Sequence, residues 1–240
     1  MTWCRVLGTA VALLAAPVQA ADIVKVGRAS ISLPAGAWIT LARGETTAAV
    51  INDDRKLNAE MAAMALSHDG RLKAVVIVMS TPGGAGRKVD WQSSCEPSGP
   101  GVWSASPGGR NPDDRECASA SAVFDSRHEL DQRLPLATAM QRMNLDLPES
   151  LVMVGAFIGT RMGAVLSVDV FAADDFAGLP VTDEPAALPA AVDRQHAAFA
   201  LALALRVRAC AYSWSGAMAL PPVNFRHAAP ADRPIALSTH

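Results

Sequence analysis

The stretch EMAAMALSHDGRLKAVVIVM, from Glu60 to Met79, decides how the chain folds. Asp69-Gly70 lies at its centre. That dipeptide accepts positive φ at little steric cost, and between apolar runs it signals a β-hairpin. Leu72 to Met79 is rich in Val and Ile, whose branched side chains suit a pleated surface. Glu60 to Leu66 is built of Ala, Met and Leu, which locally favour a helix. A tight turn needs a strand on each side, so both arms are assigned as strands.

Outward from this hairpin the same grammar recurs. Leu151 to Ile158 and Ala164 to Phe171 form a second hairpin, turning through Gly159-Thr160-Arg161-Met162-Gly163. Ile23 to Val26 and Ala29 to Leu33 alternate as short strands. Leu33 to Trp38 is a turn, and Trp38 to Leu41 resumes extended chain. Arg43 to Asn58 reads as a polar loop with one short strand near Ala48 to Ile51. Pro135 opens a short helix to about Met143, where its missing N–H does no harm. Leu136, Met140 and Met143 share one face of it. Pro189 begins a longer helix, to about Ser215. On it Phe199, Leu203, Val207, Cys210, Trp214 and Met218 recur at steps of three and four, a buried stripe. Gly216 and Pro221-Pro222 stop it. The fold class is therefore α+β: an antiparallel sheet built from hairpins, packed against a long C-terminal helix.

Residues 1–20 read as a secretory leader. Arg5 is the positive n-region, Val6 to Ala16 the apolar core, and Val18-Gln19-Ala20 a small-residue cleavage site. The expected mature chain starts at Ala21 and resides in the periplasm or outside the cell. Retention of the leader as a membrane anchor is the other outcome. Residues 21–220 form one α+β domain, and residues 221–240 a loose tail. Within the domain, residues 81–114 are so dense in Gly, Pro and Ser that no regular element is expected there.

Half of the chain is hydrophobic and 18% is charged, with a formal net charge of -2. That balance excludes an electrostatic footprint for nucleic acid. Two apolar stretches are long enough to raise the question of a membrane span. Leu151–Ala172 carries Arg161 at its middle, and Ala197–Leu220 carries Arg206 and Arg208. Each central arginine opposes insertion by roughly 3 kcal/mol, so no span is expected in the mature chain.

Four cysteines are present, and Cys4 leaves with the leader. In an oxidising compartment Cys95 and Cys117, which flank one loop, are the expected pair. Closing that loop contributes roughly 3 kcal/mol in the chain-entropy model. Cys210 is left over, either as a buried thiol or as an intermolecular bridge.

The chain resembles a family of small exported proteobacterial proteins with no established activity. The residues that carry the resemblance are Leu33-Pro34-x-Gly36-x-Trp38, Asp69-Gly70-Arg71-Leu72-Lys73-Ala74 and Trp91-x-x-x-Cys95. Arg115-x-Cys117, Leu145-x-Leu147-Pro148 and Trp214 on the late helix complete them. The resemblance implies export and a shared fold, and it transfers no site residues.

The search for chemistry yields no catalytic, cofactor-binding or metal-binding assignment. There is no G-x-S-x-G elbow. Cys117 with His128 could mimic a Cys–His pair; the reading favoured by an oxidising compartment is a disulfide cysteine and a solvated histidine. His68, His128, His196, His227 and His240 are dispersed and match no zinc spacing. Asp53-Asp54, Asp113-Asp114 and Asp174-Asp175 are sequence neighbours, unlike carboxylates that face each other across a cleft. Gly83-Gly84-Ala85-Gly86-Arg87-Lys88 lacks the P-loop pattern. Trp91 and Trp103 are the candidate partner-contact residues. Exposed, they would anchor an envelope protein or a glycan; folded back, they cover the sheet. The expected function is a non-catalytic exported module, for binding or envelope association. An exported hydrolase with a site dispersed along the chain is the alternative.

Overall fold

The computed structural model describes residues 22–48, 57–84, 86, 88–91, 95, 101–108, 111–133, 135–173, 176 and 194–223. The leader, most of the 221–240 tail and the 174–193 linker, save Phe176, lie outside these residues.

The Asp69-Gly70 turn forms as read: φ is 50° at Asp69 and 76° at Gly70. It joins β4 (Leu57–His68) to β5 (Arg71–Ser80), with Met64 opposite Val76. β4 is a strand despite its helical propensity because both of its edges are paired. β3 (Trp38–Ala48) lies on one side and β5 on the other. Its alanines bury on both faces, Ala62 on one and Ala63 and Ala65 on the other. The second hairpin also forms, as β8 (Leu151–Gly159) and β9 (Val165–Ala172).

With β6 (Val102–Ala105) and β7 (Arg115–Val123), these strands make a seven-stranded antiparallel sheet in the order β3-β4-β5-β9-β8-β7-β6. A smaller sheet combines β1 (Ile23–Val26), β2 (Ala29–Ser32) and β10 (Ala217–Ala219), the last parallel to β2. Three helices complete the described chain: α1 (Ser126–Arg133), α2 (Leu136–Arg142) and α3 (Arg194–Tyr212). The architecture is mixed, with one large antiparallel sheet as its dominant element.

Several expectations need correction. The loop over 81–114 contains a regular strand, β6, because pairing with β7 supplies the hydrogen bonds that local composition does not favour. Extended chain continues past Leu41 to Ala48, paired throughout with β4. The long helix is 19 residues, Arg194–Tyr212. Arg28 ends it by donating from Nη2 to the carbonyls of Ala211 (2.8 Å) and Ser213 (2.9 Å), which satisfies carbonyls a helix end leaves bare. Trp214 therefore lies beyond the helix and is fully exposed. Met218 belongs to β10, and Met143 lies just past α2 and is exposed. Leu151–Ala172 is not one helix but two strands that reverse at an exposed Arg161. No helix among the described residues is long and apolar enough to cross a membrane.

Period-2 alternation gives the large sheet two distinct faces. On one face Phe199, Leu203, Val207 and Cys210 of α3 pack on Ala118, Ala120, Val154, Ala156, Val168 and Val170. The small sheet extends this core with Val24, Val26, Ile31 and Met218. Glu116, 6% exposed, points the same way and is met by Arg208 of α3, whose Nε donates to both carboxylate oxygens at 3.0 and 2.8 Å. On the opposite face α1 and α2 cover one end, where Leu130, Leu136 and Met140 meet Leu72, Val75 and Phe171. A separate cluster of Ala48, Val89, Trp91 and Val165 covers the other end.

Candidate functional site

Between those two covers no helix or strand of the described residues lies over the sheet, and a groove of about 770 Å³ runs along it. Its floor follows from register. Ser104 pairs with Ser119, Ser119 with Gly155, and Gly155 with Asp169. All four therefore lie in one row across the strands, on one face. Ser121 and Ser167 lie on neighbouring rows of the same face. A sheet covered on both sides normally carries Val, Ile or Leu at such positions; here they are small or polar.

Gly155 makes the row possible. A Cβ at this position would lie 2.6 Å from Oδ1 of Asp169 and 3.2 Å from Oγ of Ser119. The Asp169 carboxylate thus extends over bare backbone towards the serine. Asp169 and Ser119 are each half-buried, within reach of a bound molecule.

One wall comes from the β7–α1 junction. Asp125 caps α1, its Oδ1 accepting the N–H of His128 at 2.9 Å. Ser126 donates its hydroxyl to the carbonyl of Pro148, and its N–H goes to Glu149 O at 3.1 Å. His128 lies at the rim with Nε2 2.7 Å from Gln132 Nε2. Phe124, 77% exposed, projects beside it.

The other wall is pinned twice. Trp91 lies against Gly159, where an added Cβ would come within 2.6 Å of the indole. Its Nε1 donates to Thr160 O at 2.7 Å, and its ring meets Phe157 edge-on at 6.1 Å between centroids. Four residues later Cys95 reaches Cys117 on the groove floor, with the sulfurs 2.04 Å apart and the Cα atoms 5.1 Å apart. Trp91 and Cys95 are thereby each tied to the sheet.

The tryptophans singled out from sequence do not form a contact surface. Trp91 is 3% and Trp103 5% exposed, on opposite faces of the sheet. Burying the indole removes a large apolar area from water, which outweighs any gain from presenting it to solvent. Cys117 and His128 both line the groove, but Cys117 is at disulfide distance from Cys95. Asp114 is buried and structural: it accepts Arg161 N at 2.7 Å and the hydroxyl of Tyr212. Burial and that bond hold the Tyr212 phenol well above its usual range. Asp113 is 3.6 Å from Lys88 and from Arg161. Asp53-Asp54 and Asp174-Asp175 lie outside the described residues. No group of described residues could hold a metal ion. The Ser104–Ser119–Gly155–Asp169 row escaped sequence reading because pairing order, not spacing, assembles it.

No protein-family model, curated protein or solved structure matches the chain.

Proposed function

We propose that this is an exported, non-catalytic binding module that holds a small polar molecule in the groove on the open sheet face. The observation that carries the proposal is the polar row Ser104–Ser119–Gly155–Asp169, flanked by Ser121 and Ser167, on the sheet face between two apolar clusters. Serine hydroxyls and a carboxylate supply directional hydrogen bonds, while Phe157 and Met153 supply apolar contact. The groove's volume, about 770 Å³, suits a small ligand. Binding is favoured over hydrolysis by the engagement of the polar groups at the rim. His128 is 2.7 Å from Gln132, and Asp125 caps a helix. The leader-like residues 1–20 and the Cys95–Cys117 pair support residence in an oxidising compartment, where an envelope component or glycan would be met.

The test expresses the full chain and recovers it from the periplasmic fraction. Intact mass should begin at Ala21, and native mass spectrometry should detect a co-purified small molecule. Ser119→Phe fills the floor and should remove that adduct without unfolding the protein. An adduct that persists in Ser119→Phe places the ligand elsewhere. A chain recovered full-length from the cytosol overturns the export half of the proposal.

A further inference from the structure

Trp214 stands apart from every other described tryptophan. Its relative exposure is 106%, against 8% for Trp38, 3% for Trp91 and 5% for Trp103. The ring is bare, yet its backbone is fixed. Ser213 Oγ accepts Gly216 N at 2.9 Å and donates to Cys210 O at 3.1 Å. Arg28 holds Ser213 O at 2.9 Å. Gly216 adopts φ 59°, and a Cβ there would strike Arg28 O at 2.2 Å. Leaving an indole in water forfeits a large hydrophobic gain, and a rigid loop presents the ring at little ordering cost to a ligand.

Beside the ring lies a second groove of about 660 Å³, distinct from the one on the sheet. Arg28, Asn111, Asp114, Tyr212 and Arg161 line it together with Trp214. We infer that this groove is a saccharide-binding site, with Trp214 as the platform for one pyranose ring. The less hydroxylated face of a pyranose presents C–H groups of partial positive charge, which fit the negative face of an indole. The hydroxyls at the ring edge can accept from the guanidinium of Arg28, whose Nη2 also holds the Ala211 and Ser213 carbonyls, and from the side-chain NH2 of Asn111, whose Oδ1 accepts Asp113 N at 3.1 Å. A lipid surface fits less well: inserting Trp214 among acyl chains would carry Arg28, Arg161 and Asp114, which line the same groove, towards an apolar medium where charges are costly.

The test titrates the mature chain with a chito-oligosaccharide, a malto-oligosaccharide and a galacturonate oligomer, following the red-edge emission of Trp214. Saturable quenching with at least one of them is expected. Trp214→Ala should weaken that binding about thirtyfold, as for a central tryptophan anchor, with an unchanged melting temperature because the ring covers no core. Arg161→Ala should weaken it by a smaller factor. Ser119→Phe should leave it intact, which separates this site from the proposed sheet groove. No response to any of the three sugars overturns the inference, as does equal affinity in Trp214→Ala. A Trp214-dependent shift on vesicles of phosphatidylcholine and phosphatidylglycerol, without a sugar response, also overturns it in favour of a membrane contact.

Discussion

The two faces of the large sheet share one backbone and differ in cover. On the α3 face the middle of β8 and β9 contributes Val154, Ala156, Val168 and Val170, each at most 3% exposed. On the other face the same strands contribute Met153, Gly155, Phe157, Ser167 and Asp169, of which only Gly155 is buried. A continuous apolar stripe draws a helix onto itself and excludes water. A row of small and polar residues offers α1 and α2 nothing to pack on, so they settle at one end. A few cross-strand positions thus decide which side is core and which side is open.

This contrast can be broken most directly from the sealed side. Leu203→Asp places a charge among fully buried neighbours and should remove about 4 kcal/mol or more. Circular dichroism should find no cooperative melt; a normal melt would mean the α3 face is not the core. Arg208→Ala leaves the buried Glu116 without its cation and should lower stability by about 3 kcal/mol in urea unfolding. Arg208→Lys should recover part of that loss, since the bidentate geometry is specific to arginine.

On the open side, Cys95→Ser with Cys117→Ser should cost about 3 kcal/mol. Trp91 emission should shift red as the segment it lies on loosens. The sealed face also predicts a pH response. Burial raises the Cys210 thiol from 9.0 to about 11, with Arg28 opposing the shift. The unfolded chain then loses this proton at lower pH than the folded one. Stability from this residue is full below about pH 9 and is lost as pH rises towards about 11. Cys210→Ala should flatten that part of the urea-midpoint profile. The smallest effects sharpen the comparison: Ser119→Ala and Ser167→Ala should each change stability by less than about 0.5 kcal/mol. If either costs as much as a core deletion, the groove floor is structural.

What the sequence made legible was local. The Asp69-Gly70 and Gly159–Gly163 turns, the Val-rich arms and the α3 stripe through Phe199, Leu203, Val207 and Cys210 are each encoded within a few residues. What it concealed was tertiary. The step of four from Cys210 to Trp214 to Met218 continues helical periodicity past the point where Arg28, far away in the chain, terminates the helix. Trp214 therefore reads as core and is the most exposed tryptophan described. Trp91 and Trp103 mislead in the opposite sense: their Gly/Pro-rich surroundings suggest solvent, but Gly159 and the β6–β7 pairing make places for them. The polar row joins β6, β7, β8 and β9, and only register brings those residues together.

The β1–β2 hairpin acquires its third strand from Ala217–Ala219, near the far end of the described chain. The residues on either side of this strand also meet the hairpin: Ser30 N donates to Gly216 O at 2.8 Å, and Leu220 N to Ser32 O at 2.9 Å. A polypeptide threaded through a pore amino end first would hold this hairpin incomplete until residue 220 had emerged. Any truncation ahead of Ala217 would strip one edge of β2 and leave its amides and carbonyls to pair with whatever strand came near. Latching Ala29–Ser32 to Ala217–Ala219 makes the arrival of a segment almost two hundred positions away a condition for closing the small sheet.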